Sequence, residues 1–255
     1  MTSFIIILFA LYGALIGSFL NVCIYRLPRR MNITTDRSHC TSCGHQLAAK
    51  DLVPVISYLT LKRKCRYCGE PISARYAIIE TTASVAFTIV AIIFHPAGLD
   101  LRLAQSVLLA IAFSALIVWM MIRFDGSKPP AGLYICLLAP AVINAMLEAD
   151  RMLHLIGLMS MLLYVLLLYF LRLWQLQLRY PGHEMIVAAA AGLMTAWPGT
   201  VIIGGLTAIT LAILNVWINR SKNIDLNMGR WLAPVLALFI FTGTMLHHGG
   251  VAWFS

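Results

Sequence analysis

Residues 3–25 read SFIIILFALYGALIGSFLNVCIY and contain no charged side chain. At about 1.5 Å of rise per residue, a helix over this stretch is about 35 Å long, which exceeds the roughly 30 Å hydrocarbon core of a bilayer. The stretch ends at Tyr25-Arg26 rather than in the small residues of a signal-peptide cleavage site. We therefore expect a retained first transmembrane helix, in which Gly13 and Gly17 have a spacing common in membrane helices.

The rest of the chain continues this apolar pattern. Of its 255 residues, 60% are hydrophobic and 11% are charged, and the mean hydropathy is +0.84. Soluble domains carry about 25% charged residues, so the composition is typical of a membrane protein. We predict an all-α polytopic fold of about eight transmembrane helices, with one long polar loop between the first and second. The predicted spans lie near residues 3–25, 76–95, 102–121, 131–147, 153–171, 184–197, 199–218 and 231–251.

The net charge of +9 follows from this topology. If the long loop is cytoplasmic, seventeen of the nineteen Lys and Arg residues lie on the cytoplasmic side, and only Arg102 and Arg151 lie outside. This distribution satisfies the positive-inside rule for eight spans with both termini outside. The basic side is suited to anionic membrane lipid, and the charge does not indicate a nucleic-acid partner.

Four cysteines in the long loop form two close pairs. The first pair is Cys40 and Cys43, and the second is Cys65 and Cys68. Twenty-one residues lie between the two pairs. Two such pairs can complete a tetrahedron of thiolates around Zn²⁺. A reducing cytoplasm disfavours disulfides, although redox-active or fortuitous cysteines remain alternatives. Because four thiolates leave no open coordination position, we expect zinc to have a structural role, folding a loop too small for its own core.

The remaining cysteines and three histidines are interpreted more simply. Cys23 and Cys136 lie in apolar sequence and are expected to be small buried hydrophobes. His45 follows the first cysteine pair and is at most an alternative ligand. His247 and His248 lie at the far end of the last span, where we expect an interfacial anchor.

Two segments of the chain resemble the prepilin leader peptidase/N-methyltransferase family. The first reads GSFLNVCIYRLP over residues 17–28, and the second runs from Cys40 to Glu80, with VPVISYLTLKRKCRYC at 53–68 and ISARY at 72–76. Residues 228–233, MGRWLA, are similar to a weaker family segment that normally begins Phe-Gly-Pro. The resemblance implies a multi-pass enzyme of the bacterial inner membrane, with the zinc loop cytoplasmic, that serves type IV pilus or type II secretion biogenesis.

The resemblance also implies two activities. Enzymes of this family remove the leader from prepilins or pseudopilins and then methylate the new N-terminus with S-adenosyl-L-methionine. The resemblance assigns residues 1–80 to a methyltransferase-like region and residues 81–255 to a peptidase-like helical region.

The motifs also contain polar positions, among which a carboxylate inside a span requires a partner or a function. The polar positions within the matching motifs are Asn21, Arg26, Glu70, Arg75 and Glu80; topology alone also favours the two arginines, and Asn21 also fits a bridge between helices.

The peptidase motif departs from the family pattern. The family uses two aspartates at the cytoplasmic ends of different spans, whereas the matching positions here are Arg123 and Glu184. In one interpretation, Asp125 and Glu184 form a relocated catalytic pair that shares a proton. Against it, two residues along a helix rotate a side chain by about 200°, and Arg123 favours ionised carboxylates. We therefore favour loss of leader cleavage.

Three functions follow from these observations. The leading hypothesis is an enzyme of this family in which methyl transfer is better supported than proteolysis. The alternative is a catalytically inactive scaffold that binds pilins or pilus assembly proteins. A transporter or metal sensor is disfavoured, because substrate paths through membranes need several polar residues and the spans contain few.

Overall fold

The computed structural model describes residues 2–35, 37–170, 186–196 and 228–248. Over these residues the regular structure is helical, with only two isolated β-bridges, both in the long loop. The predicted all-α fold is thus confirmed. The helices are α1 (Thr2–Arg26), α2 (Ile56–Thr60), α3 (Ala74–Phe94), α4 (Leu101–Phe124), α5 (Ala131–Leu147), α6 (Arg151–Phe170), α7 (Ile186–Ala196) and α8 (Met228–His248).

The helices agree with the predicted spans wherever both can be compared. Among the described residues, α1, α3 and α4 are long and apolar enough to cross a bilayer, and α5 and α7 are shorter apolar helices. The predicted span at 199–218 lies outside the described residues. The total of eight spans therefore stays a prediction.

Residues 1–103 form one compact unit, in which α1 packs along α3. A Cβ added at Gly13 or at Gly17 would come within 2.7 Å of backbone atoms of α3. One turn further along, Asn21 Nδ2 donates to the Tyr76 carbonyl at 3.2 Å. Residues four apart lie on one helical face, so this spacing produces a continuous close contact between the two helices.

The long loop joins the C-terminal end of α1 to the N-terminal end of α3. It contains two 3₁₀ turns, Leu27–Arg29 and Ala49–Asp51, followed by the short helix α2. The Ser73 hydroxyl accepts from the Arg75 backbone N–H at 3.3 Å and caps the start of α3, as serine commonly does.

Residues 104–255 form a second compact unit. Within it, α6 and α7 approach closely, since a Cβ added at Gly157 would lie 2.6 Å from the Gly192 carbonyl oxygen. Pro140 lies inside α5, and Asn144 one turn later is fully buried. The functional boundary predicted at residue 80 falls within α3, and it stays a prediction.

Candidate functional site

The two cysteine pairs are held by the same backbone turn. The Gly44 N–H donates to the Cys40 carbonyl at 2.9 Å, and the Cys40 N–H donates to the His45 carbonyl at 2.9 Å. The second pair repeats both hydrogen bonds, at 2.9 and 2.8 Å, with Gly69 in place of Gly44. Both glycines have positive φ, 71° and 75°, where a side chain would be strained. Each pair is thereby shaped to direct both sulfurs toward one point.

The four sulfur atoms form a single cluster. The Sγ atoms of Cys40, Cys43, Cys65 and Cys68 all lie within 4.8 Å of one another, and those of Cys40 and Cys68 are 3.9 Å apart. A tetrahedral zinc site with Zn–S bonds of about 2.3 Å has S···S edges of about 3.8 Å. The cluster therefore fits a zinc ion after only a slight contraction.

The charges of the thiols also favour a cation. Backbone N–H groups of Cys43 and Ser42 lower the pKa of Cys40 to about 6. The Glu70 N–H opposes a rise at Cys68, but desolvation and hydrogen bonds with the other three thiols raise the pKa of Cys68 to about 12. Close thiols thus resist joint ionisation, and a divalent cation supplies the charge that lets all four become thiolates.

Asp51 holds the second cysteine pair in place. Its carboxylate, 2% exposed, accepts from Arg66 Nε at 2.7 Å and from the Tyr67 hydroxyl at 3.0 Å. The Ala48 N–H also donates to it, at 3.2 Å. The Arg66 guanidinium is the main reason that the pKa of Asp51 lies below its ordinary value. His45 stacks on Tyr67 with ring centroids 3.6 Å apart, so the histidine considered as an alternative ligand joins the two pairs by packing.

Glu80 has the partner that its position in α3 requires. The side chain is buried, and its Oε2 accepts from the Val55 N–H at 2.7 Å. Ser18 also hydrogen-bonds to it. Val55 has a φ of 61°, an unusual conformation for a β-branched residue. Glu80 thus fastens the turn that precedes α2 to the α1–α3 pair, opposite Gly17.

The other polar positions of the matching motifs have structural contacts. Asn21 bridges α1 and α3, as its alternative interpretation proposed. Buried Arg26 donates from Nη1 to the Asn32 carbonyl at 2.9 Å. Glu70 is exposed, and Arg75 is half-buried at the start of α3. Among these positions, Glu80 is the carboxylate that connects the loop to a membrane helix.

The predicted acidic pair is described only in part. Arg123 is 7% exposed near the end of α4, whereas Asp125 is exposed just beyond that end. The two side chains therefore differ in environment. Glu184 lies outside the described residues, so the catalytic pair of Asp125 and Glu184 stays a prediction.

Sequence reasoning missed three features of the loop. No sequence pattern marks Asp51, because its partner Arg66 is fifteen residues away. Tyr67 is equally unmarked, because it lies between two of the cysteine ligands. The glycine that follows each cysteine pair is a readable signal: the pattern C-x-x-C-G occurs twice, at residues 40–44 and 65–69.

Comparison with known proteins identifies the same region. The family described as the bacterial peptidase A24 N-terminal domain matches residues 11–94. A prepilin leader peptidase/N-methyltransferase of Myxococcus xanthus is 45% identical over 84 residues, covering 33% of this chain and 25% of that protein. Its counterpart in Vibrio cholerae is 45% identical over 83 residues, covering 29% and 33%. These matches span only a quarter to a third of the two relatives.

A longer match extends beyond the N-terminal region. A prepilin leader peptidase/N-methyltransferase of Burkholderia pseudomallei is 28% identical over 273 aligned positions, covering 91% of this chain and 84% of that protein. No solved structure gives a significant match. The predicted resemblance is thus confirmed: the chain is similar to the prepilin leader peptidase/N-methyltransferases, and residues 11–94 match the bacterial peptidase A24 N-terminal domain.

Proposed function

We propose that this chain is a membrane enzyme that methylates the N-terminus of processed type IV prepilins or type II secretion pseudopilins. S-adenosyl-L-methionine is the methyl donor, and the catalytic pair for leader cleavage has been lost. The proposal is carried by residues 11–94, which match the family domain and contain a loop ordered by two matching cysteine turns.

The cysteine cluster has a structural role in this proposal. Zinc bound by Cys40, Cys43, Cys65 and Cys68 crosslinks two segments of a loop that has little core of its own. Asp51 and Glu80 extend the order from the cluster to the membrane helices. We assign methyl transfer to residues 1–80 and the peptidase-like region to residues 81–255.

The proposed loss of cleavage rests on Arg123. A guanidinium cannot accept a proton from water, which is what one aspartate of the family pair must do. Its positive charge also favours ionised carboxylates, whereas the mechanism needs two carboxyls that share one proton. Asp125 is exposed just beyond the end of α4, in a different environment from the buried Arg123.

The charge distribution supports the location. The long loop carries ten of the nineteen Lys and Arg residues, and the positive-inside rule assigns such a loop to the cytoplasm. The enzyme would then meet the basic leader and the new N-terminus of its substrate at the cytoplasmic surface of the inner membrane.

A methyl-transfer assay tests this proposal. Purified zinc-loaded protein is mixed with a leader-free pilin and S-adenosyl-L-methionine, and the pilin N-terminus is examined by mass spectrometry. We expect one added methyl group, lost in Cys68→Ser and kept in the control Cys136→Ser. Absence of methylation by folded, zinc-loaded protein would contradict the proposal.

The scaffold is the second candidate, favoured by the same change to Arg123. A scaffold would retain affinity for prepilins or pilus assembly proteins without altering them. Co-purification of an unmodified prepilin, together with no methyl transfer, would support it over the enzyme.

A further inference from the structure

Three histidines meet at the C-terminal end of α8, within the second unit. The ring centroids of His154 and His247 are 5.4 Å apart, and those of His247 and His248 are 4.8 Å apart. The side chain of His248 is 6% exposed and that of His154 is fully buried. The ring of His248 is thus enclosed by protein, and its expected role as an interfacial anchor stays a prediction.

These separations suit a shared ion. A histidine nitrogen lies about 2.1 Å from a bound zinc ion, which places the ring centroid about 3.2 Å from the metal. Two such rings on a tetrahedron are then about 5.2 Å apart. The two observed centroid distances lie on either side of this value.

His154 has one ring nitrogen occupied by a backbone hydrogen bond. Its Nδ1 donates to the Leu193 carbonyl at 2.7 Å, because a carbonyl oxygen can only accept. This hydrogen bond places a ring proton on Nδ1, so Nε2 is the ring nitrogen that would bind an ion. Metal-binding histidines commonly donate their second ring nitrogen to a backbone carbonyl in this way.

Two carboxylates complete the donor set. Glu148 Oε1 lies 3.5 Å from His248 Nδ1 and accepts from Gln105 Nε2 at 2.7 Å. Asp150 lies immediately before α6, the helix that carries His154. Three neutral imidazoles and two carboxylates would balance the charge of one divalent ion, which buried charges require.

We propose that this histidine cluster, comprising His154, His247, His248, Glu148 and Asp150, is a second metal site that binds a divalent transition ion. The donors are imidazole and carboxylate, a set that suits zinc, nickel or copper(II). Among the described residues, only the four cysteines are already gathered within one coordination sphere, so binding here requires a side-chain rotation. The ion would fasten the α5–α6 turn to the end of α8, and the site does not depend on methyl transfer.

Cobalt binding tests this site in the intact protein. The chain is purified with zinc on its cysteines and titrated with Co²⁺ under reducing conditions. We expect one further equivalent of Co²⁺ per chain, with visible d–d absorption and no sulfur-to-metal charge-transfer band. His247→Gln should weaken this binding at least about tenfold.

Two further variants control the result. His95→Asn alters an exposed histidine with φ of 45°, a conformation that asparagine tolerates, and should leave cobalt binding unchanged. Glu148→Gln keeps the shape of the cluster and should weaken binding, which covers the case in which a histidine variant fails to fold. Absence of a second equivalent, or binding that survives both His247→Gln and Glu148→Gln, would overturn the proposal.

Discussion

Residues 11–94 and residues 122–130 correspond to the two halves of the family resemblance, but their charged groups lie in different settings. In the first segment, buried Asp51 and Glu80 accept hydrogen bonds that connect the loop to itself and to α3. In the second, Arg123 is buried at the position where we predict a family aspartate, and Asp125 is exposed beyond the end of α4.

We infer from this difference that a resemblance to the family does not by itself imply two intact activities. The first segment keeps the residue types that its resemblance implies, and the structure gives them specific partners. In the second, we propose that Arg123 stands where leader cleavage needs an acid.

The largest effect is expected from Cys68→Ser. Loss of one thiolate should release about one zinc ion per chain, because structural zinc contributes about 10 kcal/mol or more to folding its site. Metal analysis and limited proteolysis of the loop measure both consequences. Cys136→Ser is the matched control, and purified protein without zinc under reducing conditions would contradict the account of the loop.

Gly17→Ala should separate α1 from α3. The new Cβ would lie 2.7 Å from the Glu80 Cα, so the helices must move apart, at a cost of about 2 kcal/mol. A thermal-shift assay in detergent should show a lower Tm. Gly132→Ala, where a Cβ meets nothing within 4 Å, is the control, and equal Tm values for both variants would argue against the close helix contact.

Glu80→Gln tests the connection between the loop and the helices. The amide still accepts from the Val55 N–H but without charge, so we expect a loss of about 1 kcal/mol. Proteolysis near residues 53–56 should become faster, with zinc retained. The control Glu70→Gln changes an exposed side chain and should leave the rate of proteolysis unchanged. An unchanged rate of proteolysis in Glu80→Gln would contradict the proposed connection between the loop and α3.

The smallest effect is expected from Asp51→Asn. It weakens a pair in which Arg66 is partly exposed, so about 0.5 kcal/mol is expected, read as faster proteolysis of the loop. Because the pKa of Asp51 is lowered, its contribution is complete above the ordinary pKa and is lost only as pH falls through the lowered value. The difference between Asp51→Asn and the unmodified chain should thus stay constant from neutral pH to about pH 5; a difference that shrinks over this range would contradict the assignment.

Local chemistry explains which parts of the site were predictable. The two cysteine pairs could be recognised because the ligands of each are three residues apart. Asp51 and Arg66 are fifteen residues apart, and Val55 and Glu80 are twenty-five residues apart. No periodic pattern in the sequence therefore predicts either contact. His154 and His247 are still further apart, and only folding brings them together. The apolar runs likewise indicated the helices, whereas Gly13 and Gly17 became informative only with α3 beside them.

The N-terminal peptide of a co-expressed prepilin tests the central claim most directly. The prepilin is produced with this chain in a host that lacks every other prepilin peptidase, and the mass of the peptide is measured. We expect an intact leader, which means that Arg123 has replaced a working acid and that methyl transfer must be assayed on pre-cleaved pilin. A cleaved pilin, with cleavage abolished by Asp125→Ala, would contradict the account and establish Asp125 as part of a relocated catalytic pair.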